Sequence, residues 1–167
     1  MTQIANVQVG WAGQADIPGV IDVLIEIADF RASLGQDRWR KSTFTYEAVG
    51  EWIARRELVV ARIDGRVVGT MLIQPADEVF WPDRPDGEAF YVHKLTRTRK
   101  APEAKGLVAP LITFAEQVTR DAGRPLLRLD CAIDEKLCAL YENLGFQRGD
   151  VVEPSPGLVS VRWEKCV

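Results

Sequence analysis

A helix lying between two strands is the feature that most constrains this chain. Ala89 to Thr98 and Pro125 to Cys131 are apolar, strand-like runs, and between them a helical pattern extends from about Gly106 to Ala122 and stops at Gly123. Strands joined through a helix lie parallel in one sheet, because a hairpin cannot hold so long a connection. Upstream, Glu57 to Ile63 and Arg66 to Gln74 are separated by Asp64-Gly65, a dipeptide suited to the tight turn of an antiparallel hairpin. A chain with both kinds of connection builds a mixed sheet with helices on both faces.

The remaining segments fit that plan. Ile4 to Trp11 alternates Val7, Val9 and Trp11, as a half-buried strand does. Asp16 is placed to cap a helix with Pro18 in its first turn, and Val20, Ile21, Leu24, Ile27, Ala28 and Arg31 follow at helical spacing until Gly35. Thr45 caps a second helix reaching about Arg56, with Val49, Trp52 and Ile53 on one side. Pro75 to Gly87 holds three prolines and four acidic residues and reads as a loop, of a length that is often functional. Asp134 to Leu144 is a helix stopped by Gly145, and Phe146 to Val167 reads as two strands around Pro154 to Gly157. No repeat or linker divides the chain, so residues 1–167 are expected to form one α/β domain of the mixed α+β kind.

Composition narrows the function. With 47% hydrophobic and 27% charged residues the balance is that of a soluble globular protein. A net charge of −3 offers no electrostatic basis for binding nucleic acid or an anionic membrane, and its sign suits a cationic or amine-bearing substrate. Cys131, Cys138 and Cys166 have no paired C-x-x-C spacing, and His93 is the only histidine, so neither a zinc site nor a cysteine–histidine nucleophile is expected. No signal-like segment or membrane-length apolar run occurs, which makes a soluble, cytoplasmic protein the expectation.

Chemistry concentrates between Tyr91 and Phe146. The strand YVHKLTRTR runs into the turn KAPEAKGLV and then a helix, and such a junction offers free N–H groups and a positive helix end to an anion. Gly106 permits close approach of a ligand, while Arg99, Lys100 and Lys105 add positive charge. Further on, Leu137, Leu140, Tyr141 and Leu144 share one helix face, which by spacing alone suits a core tyrosine with its hydroxyl bonded.

Together these stretches resemble the GNAT acetyltransferase superfamily, over the whole chain in element order and most clearly from Tyr91 to Phe146. YVHKLTRTRK is similar to the strand that meets the pantetheine arm, AKGLV to the pyrophosphate loop, and LYENLGF to the tyrosine-bearing helix. The resemblance implies a splayed parallel strand pair in a mostly antiparallel sheet, and acetyl-coenzyme A as co-substrate. It implies that the coenzyme is held by the backbone of Ala104, Lys105, Gly106, Leu107 and Val108, with Leu95, Arg97 and Asp134 completing the set. Tyr141 would protonate the departing thiolate, a neutral donor of pKa about 10 facing a thiol of about 8.5. The loop departs from the family pattern of Gln or Arg, two residues, Gly, one residue, then Gly or Ala. The matching positions hold Glu103, Gly106 and Val108.

A base must take a proton from the ammonium form of an amine acceptor. His93 has the fitting intrinsic chemistry, with Glu88, Asp130, Glu26 and Asp29 as alternatives. The resemblance puts Glu26, Asp29, Trp39, Trp81 and Asp130 around the acceptor, a small-molecule or peptide amine. The expected activity is N-acetyl transfer by direct attack, the alternatives being a non-catalytic acyl-coenzyme A binder or an interaction domain that keeps the fold alone. A homodimer is compatible with the closing strands.

Overall fold

The computed structural model describes residues 6–167; Ile4, with which the first strand was expected to begin, lies outside them. The elements follow in the order β1 (Val7–Trp11), α1 (Ile17–Ser33), α2 (Tyr46–Ala54), β2 (Leu58–Ile63), β3 (Arg66–Gln74), β4 (Ala89–Arg97), α3 (Val108–Asp121), β5 (Leu126–Cys131), α4 (Glu135–Asn143), β6 (Gln147–Val152) and β7 (Ser160–Cys166). Short 3-10 turns occupy Gln14–Asp16, Lys41–Thr43 and Pro102–Ala104. The seven strands form a mixed sheet in the order β1-β2-β3-β4-β5-β7-β6, in which β4 and β5 run parallel. No helix among the described residues is long and apolar enough to cross a membrane.

The chain gathers into two compact units, each made of two segments. One holds residues 6–72 together with Lys94–Phe114, and the other holds Ile73–His93 together with Ala115–Val167. The boundaries fall inside β3, β4 and α3 rather than at a linker.

In the first unit, the periodic residues of α1 reach the core as their spacing predicts. Ile17, Val20, Leu24 and Ala28 are buried with Phe44, Val49, Leu58, Val60 and Leu72. Thr45 caps α2 through Oγ1, which accepts the Ala48 N–H at 3.1 Å. Asp16 does not cap α1 with its side chain. Its carboxylate instead accepts the Gly13 N–H at 2.7 Å and N–H groups on Nε and Nη2 of Arg62, at 2.9 and 2.5 Å, tying the start of α1 to β2. The Asp64-Gly65 turn joins β2 to β3 with both residues at positive φ, the conformation that a two-residue hairpin requires.

In the second unit, β5 pairs antiparallel with β7 from Leu126–Cys166 to Cys131–Val161, and Leu127, Leu129, Val161 and Trp163 are buried. The parallel β4–β5 ladder covers only Ala89–Leu126 through Val92–Leu129. It stops at Leu129, although β5 runs on to Cys131.

Candidate functional site

Two residues after that ladder ends, Lys94 takes φ +50, in the left-handed region that a lysine adopts only under constraint. A left-handed residue inside a strand interrupts the ladder and re-aims the main chain that follows. The Thr70 hydroxyl donates to the Lys94 carbonyl at 3.1 Å, and the ammonium of Lys94 lies 4.9 Å from the centre of the Trp39 ring. Leu95 and Arg97 follow, both half-buried, and the Arg97 guanidinium folds back onto the Thr98 carbonyl at 3.1 Å.

The turn after β4 is built mostly from its own backbone. The N–H groups of Ala104, Lys105 and Leu107 donate to Ala101, Pro102 and Ala104 carbonyls at 3.0, 3.1 and 3.2 Å. Those of Gly106, Val108 and Ala109 donate to no group among the described residues. They surround the start of α3, which begins at Val108 rather than Gly106. Free donors thus sit at Gly106, Val108 and Ala109, not along the whole run Ala104 to Val108. Gly106 is required for its φ of +85; a Cβ there would meet nothing within 4 Å. Lys100 and Lys105 are exposed and form no ion pair among the described residues, whereas Arg99 stacks on Phe30 at 3.7 Å.

Beneath this turn stands Gly69 of β3. A Cβ at that position would lie 2.5 Å from Leu107 Cδ2 and 3.1 Å from the Thr96 carbonyl. The missing side chain is what lets buried Leu107 seat the turn on the sheet. A glycine inside a strand is a sequence signal of such close approach, and here the approach is that of the turn after β4.

Several expected site residues have structural partners. Glu26 accepts the Thr98 hydroxyl at 2.6 Å and the Arg99 N–H at 2.8 Å, fastening the end of β4 to α1. Asp29 pairs with Lys41 at 2.6 Å on the surface. Trp39 is half-buried between Arg31 and Lys94 and meets Phe44 edge-on. Asp134 caps α4, accepting the N–H groups of Lys136 and Leu137 at 2.9 and 3.0 Å. A hollow of about 470 Å³ borders the turn, lined among others by Asp16, Asp22, Glu26, Arg66, Thr98 and Lys100.

The second unit brings His93, Asp130 and Trp81 into one neighbourhood, together with Asp77, which nothing in the sequence separates from the other acids of its loop. His93 Nε2 lies 3.2 Å from Asp77 Oδ2, and ligand-type atoms of Asp77, His93 and Asp130 all fall within 4.8 Å of one another. The side chain of Asp77 is almost fully buried. Burial pushes its carboxyl up, but His93 and the N–H groups of Phe80 and Val79 outweigh that and hold it below the ordinary range. Trp81 is buried against Tyr91, with the guanidinium groups of Arg162 and Arg128 at 4.7 and 5.0 Å from its ring. Arg128 is itself buried and bonded to Glu88 at 2.5 Å, Glu164 at 2.7 Å and the Tyr91 hydroxyl at 3.1 Å, an ion-pair set that raises its pKa despite burial. A hollow of about 540 Å³ opens here, with Asp77, Glu78, Trp81, Arg84, Asp86 and Tyr91 in its lining.

Tyr141 sits on α4 with 7% of its surface exposed, its ring 6.0 Å from Phe146 and 6.1 Å from Trp163. Gly145 ends the helix with φ +87, and Phe146 returns beneath it by donating its N–H to the Tyr141 carbonyl at 3.0 Å.

No protein-family model matches this chain, and no curated protein matches it in sequence. Solved structures do match it over nearly its whole length. A GNAT-family acetyltransferase from Listeria monocytogenes is 22% identical, with a TM-score of 0.75 over 98% of each chain. The PaiA N-acetyltransferase of Thermoplasma acidophilum, solved with coenzyme A, is 16% identical, with a TM-score of 0.73 over 97% of this chain and 99% of its own. YncA of Salmonella typhimurium, solved with acetyl-CoA, is 15% identical, with a TM-score of 0.69 over 96% of this chain and 93% of its own. The fold of this chain is that of the GNAT acetyltransferases.

Proposed function

We propose that this chain, which carries the GNAT acetyltransferase fold, moves an acetyl group from acetyl-coenzyme A to a primary amine by direct attack. The observation that carries the reading is the turn after β4, where the amides of Gly106, Val108 and Ala109 are free at the start of α3. Three donors at a helix N-terminus, with Lys100 and Lys105 nearby in sequence, fit a pyrophosphate. In this reading the main chain of Leu95 and Arg97 orients the thioester. His93 takes a proton from the ammonium, the neutral nitrogen attacks the acetyl carbonyl, the carbon–sulfur bond breaks, Tyr141 gives its proton to the thiolate, and the second proton shed by the new amide nitrogen restores Tyr141. The hollow beside Trp81 and Tyr91, with Asp77, Glu78 and Asp86 in its lining, has the charge and aromatic surface to take a cationic acceptor.

The burial of Tyr141 favours a second reading, a non-catalytic acyl-coenzyme A binder. Calorimetry with acetyl-coenzyme A followed by a thiol-release assay over a panel of amines separates the two. Binding with amine-dependent thiol release supports transfer; binding without release from any amine supports the second reading. Absence of coenzyme binding would overturn both.

A further inference from the structure

Asp77 lies against the only histidine of the chain, and the two oxygens of its carboxylate have different surroundings. Oδ1 accepts the N–H groups of Val79 at 3.0 Å and Phe80 at 2.9 Å, closing a turn within the loop. Oδ2 is buried, accepts no aligned hydrogen bond, and lies 3.2 Å from His93 Nε2. The side chain of Asp77 is 4% exposed and that of His93 20%, so water reaches the imidazole and scarcely the carboxylate.

The loop carrying Asp77 is anchored along its length. The Trp81 N–H donates to the Asp77 carbonyl at 3.2 Å, and Arg162 donates to the Phe80 carbonyl at 2.6 Å and to Asp83 at 2.7 Å. Arg124 reaches the Pro75 carbonyl at 3.0 Å. A carboxylate fixed in this way can dictate which nitrogen of a neutral imidazole carries the proton. From β5, Asp130 adds a second carboxylate to the cluster; its register partner on β7, Arg162, has its guanidinium turned to Asp83 and Phe80.

We propose that Asp77 is a positioning residue for His93: it fixes the proton on Nε2 and leaves Nδ1 as the atom that accepts the proton of the incoming ammonium. This rests on the reading of His93 as the base. The proton passes from the acceptor nitrogen to Nδ1, the Nε2–H stays on Asp77, and the imidazolium so formed faces two carboxylates. Asp77 itself neither touches the acceptor nor gains a proton.

Because the chain holds one histidine, long-range nitrogen–proton NMR of the whole protein reads His93 without assignment ambiguity. The expected neutral form is the Nε2–H tautomer. In Asp77→Asn the amide oxygen keeps the two backbone bonds and the NH₂ faces Nε2, so the proton should move to Nδ1 and amine-dependent turnover should fall about 10²-fold. An Nδ1–H tautomer in the parent protein overturns the proposal without any variant, as does an unchanged tautomer in folded Asp77→Asn. A switched tautomer with unaltered single-turnover rate and pH profile would overturn the role of His93 as base, and with it the catalytic part of the proposal. If the parent transfers no acetyl group, the function reading fails, while the tautomer measurement still decides the hold of Asp77 on His93.

Discussion

Glu103 pairs with Arg66, at 3.4 Å, rather than with the lysines of its own turn. Both side chains are well exposed, so the pair adds little to stability. Its consequence is for anion binding. Glu103 stands three residues before Gly106 and five before Val108, where a pyrophosphate is proposed. At about 7 Å and an effective dielectric near 40, one such repulsion is roughly 1 kcal/mol. Glu103→Gln is therefore expected to tighten acetyl-coenzyme A several-fold at low salt and less at high salt. Calorimetry at two salt concentrations checks this. Weaker binding would mean that the Arg66 pair holds the turn in its binding shape.

Gly69→Ala tests the seat of that turn. The added methyl would meet Leu107 Cδ2 at 2.5 Å, and Leu107 must move because the Thr96 carbonyl closes the other side at 3.1 Å. Overpacking of this kind costs about 1–3 kcal/mol. The variant should unfold earlier and bind acetyl-coenzyme A at least several-fold more weakly than a variant equally destabilised at Val49. Equal loss in both would sink the specific link between Gly69 and the anion site.

Tyr141→Phe should keep the fold and coenzyme binding, since the ring packing on Phe146 and Trp163 is preserved. Turnover is expected to drop roughly 10²-fold or more, the scale of a positioned general acid. A full rate in the variant, measured where chemistry limits turnover, would remove Tyr141 from the mechanism.

The three cysteines should differ in reactivity. Burial pushes the Cys131 thiol up to about 12, so it is scarcely ionised at neutral pH, whereas Cys166 is exposed and Cys138 half-buried. Alkylation of the native protein near pH 8 should mark Cys166 first and leave Cys131 intact until unfolding. Mass spectrometry of the digests reads the order, and early labelling of Cys131 would contradict its buried, inert role.

Features set by neighbouring residues were legible in the sequence, and those set by distant ones were not. Asp64-Gly65 and Thr45 act through bonds within a few residues, so their types identify the turn and the cap. Asp16 looks like a cap from its local context, but Arg62 of β2 takes its carboxylate. Lys94 has no side-chain preference for positive φ, so its kink arises from packing and leaves no mark in the sequence. The turn between β4 and α3 was visible as a strand-turn-helix junction. Which amides remain free depends on where its own 3-10 turn ends, which composition does not encode. The partnership of Asp77 with His93 depends on the closure of a loop whose other acids look alike.

That partnership also sets an acid limit on stability. Burial alone would raise the Asp77 carboxyl, but His93 and the Phe80 and Val79 amides reverse the sign, so its folded value lies below the ordinary 3.8. A carboxylate depressed in the folded state binds fewer protons there than in the unfolded chain at acid pH. Stability therefore rises with pH through that window. The contribution is complete above the unfolded value near 3.8 and is lost as pH falls through the lower folded value. Asp16, held down against its own burial by Arg62 and the Gly13 amide, acts in the same direction. Asp77→Asn should thus be less stable than the parent at pH 7, with the difference shrinking as pH drops toward 3. Thermal unfolding of both proteins from pH 7 to 3 measures it. A constant gap across that range would show that the ionisation of Asp77 contributes nothing to stability, whether through His93 or through the turn amides.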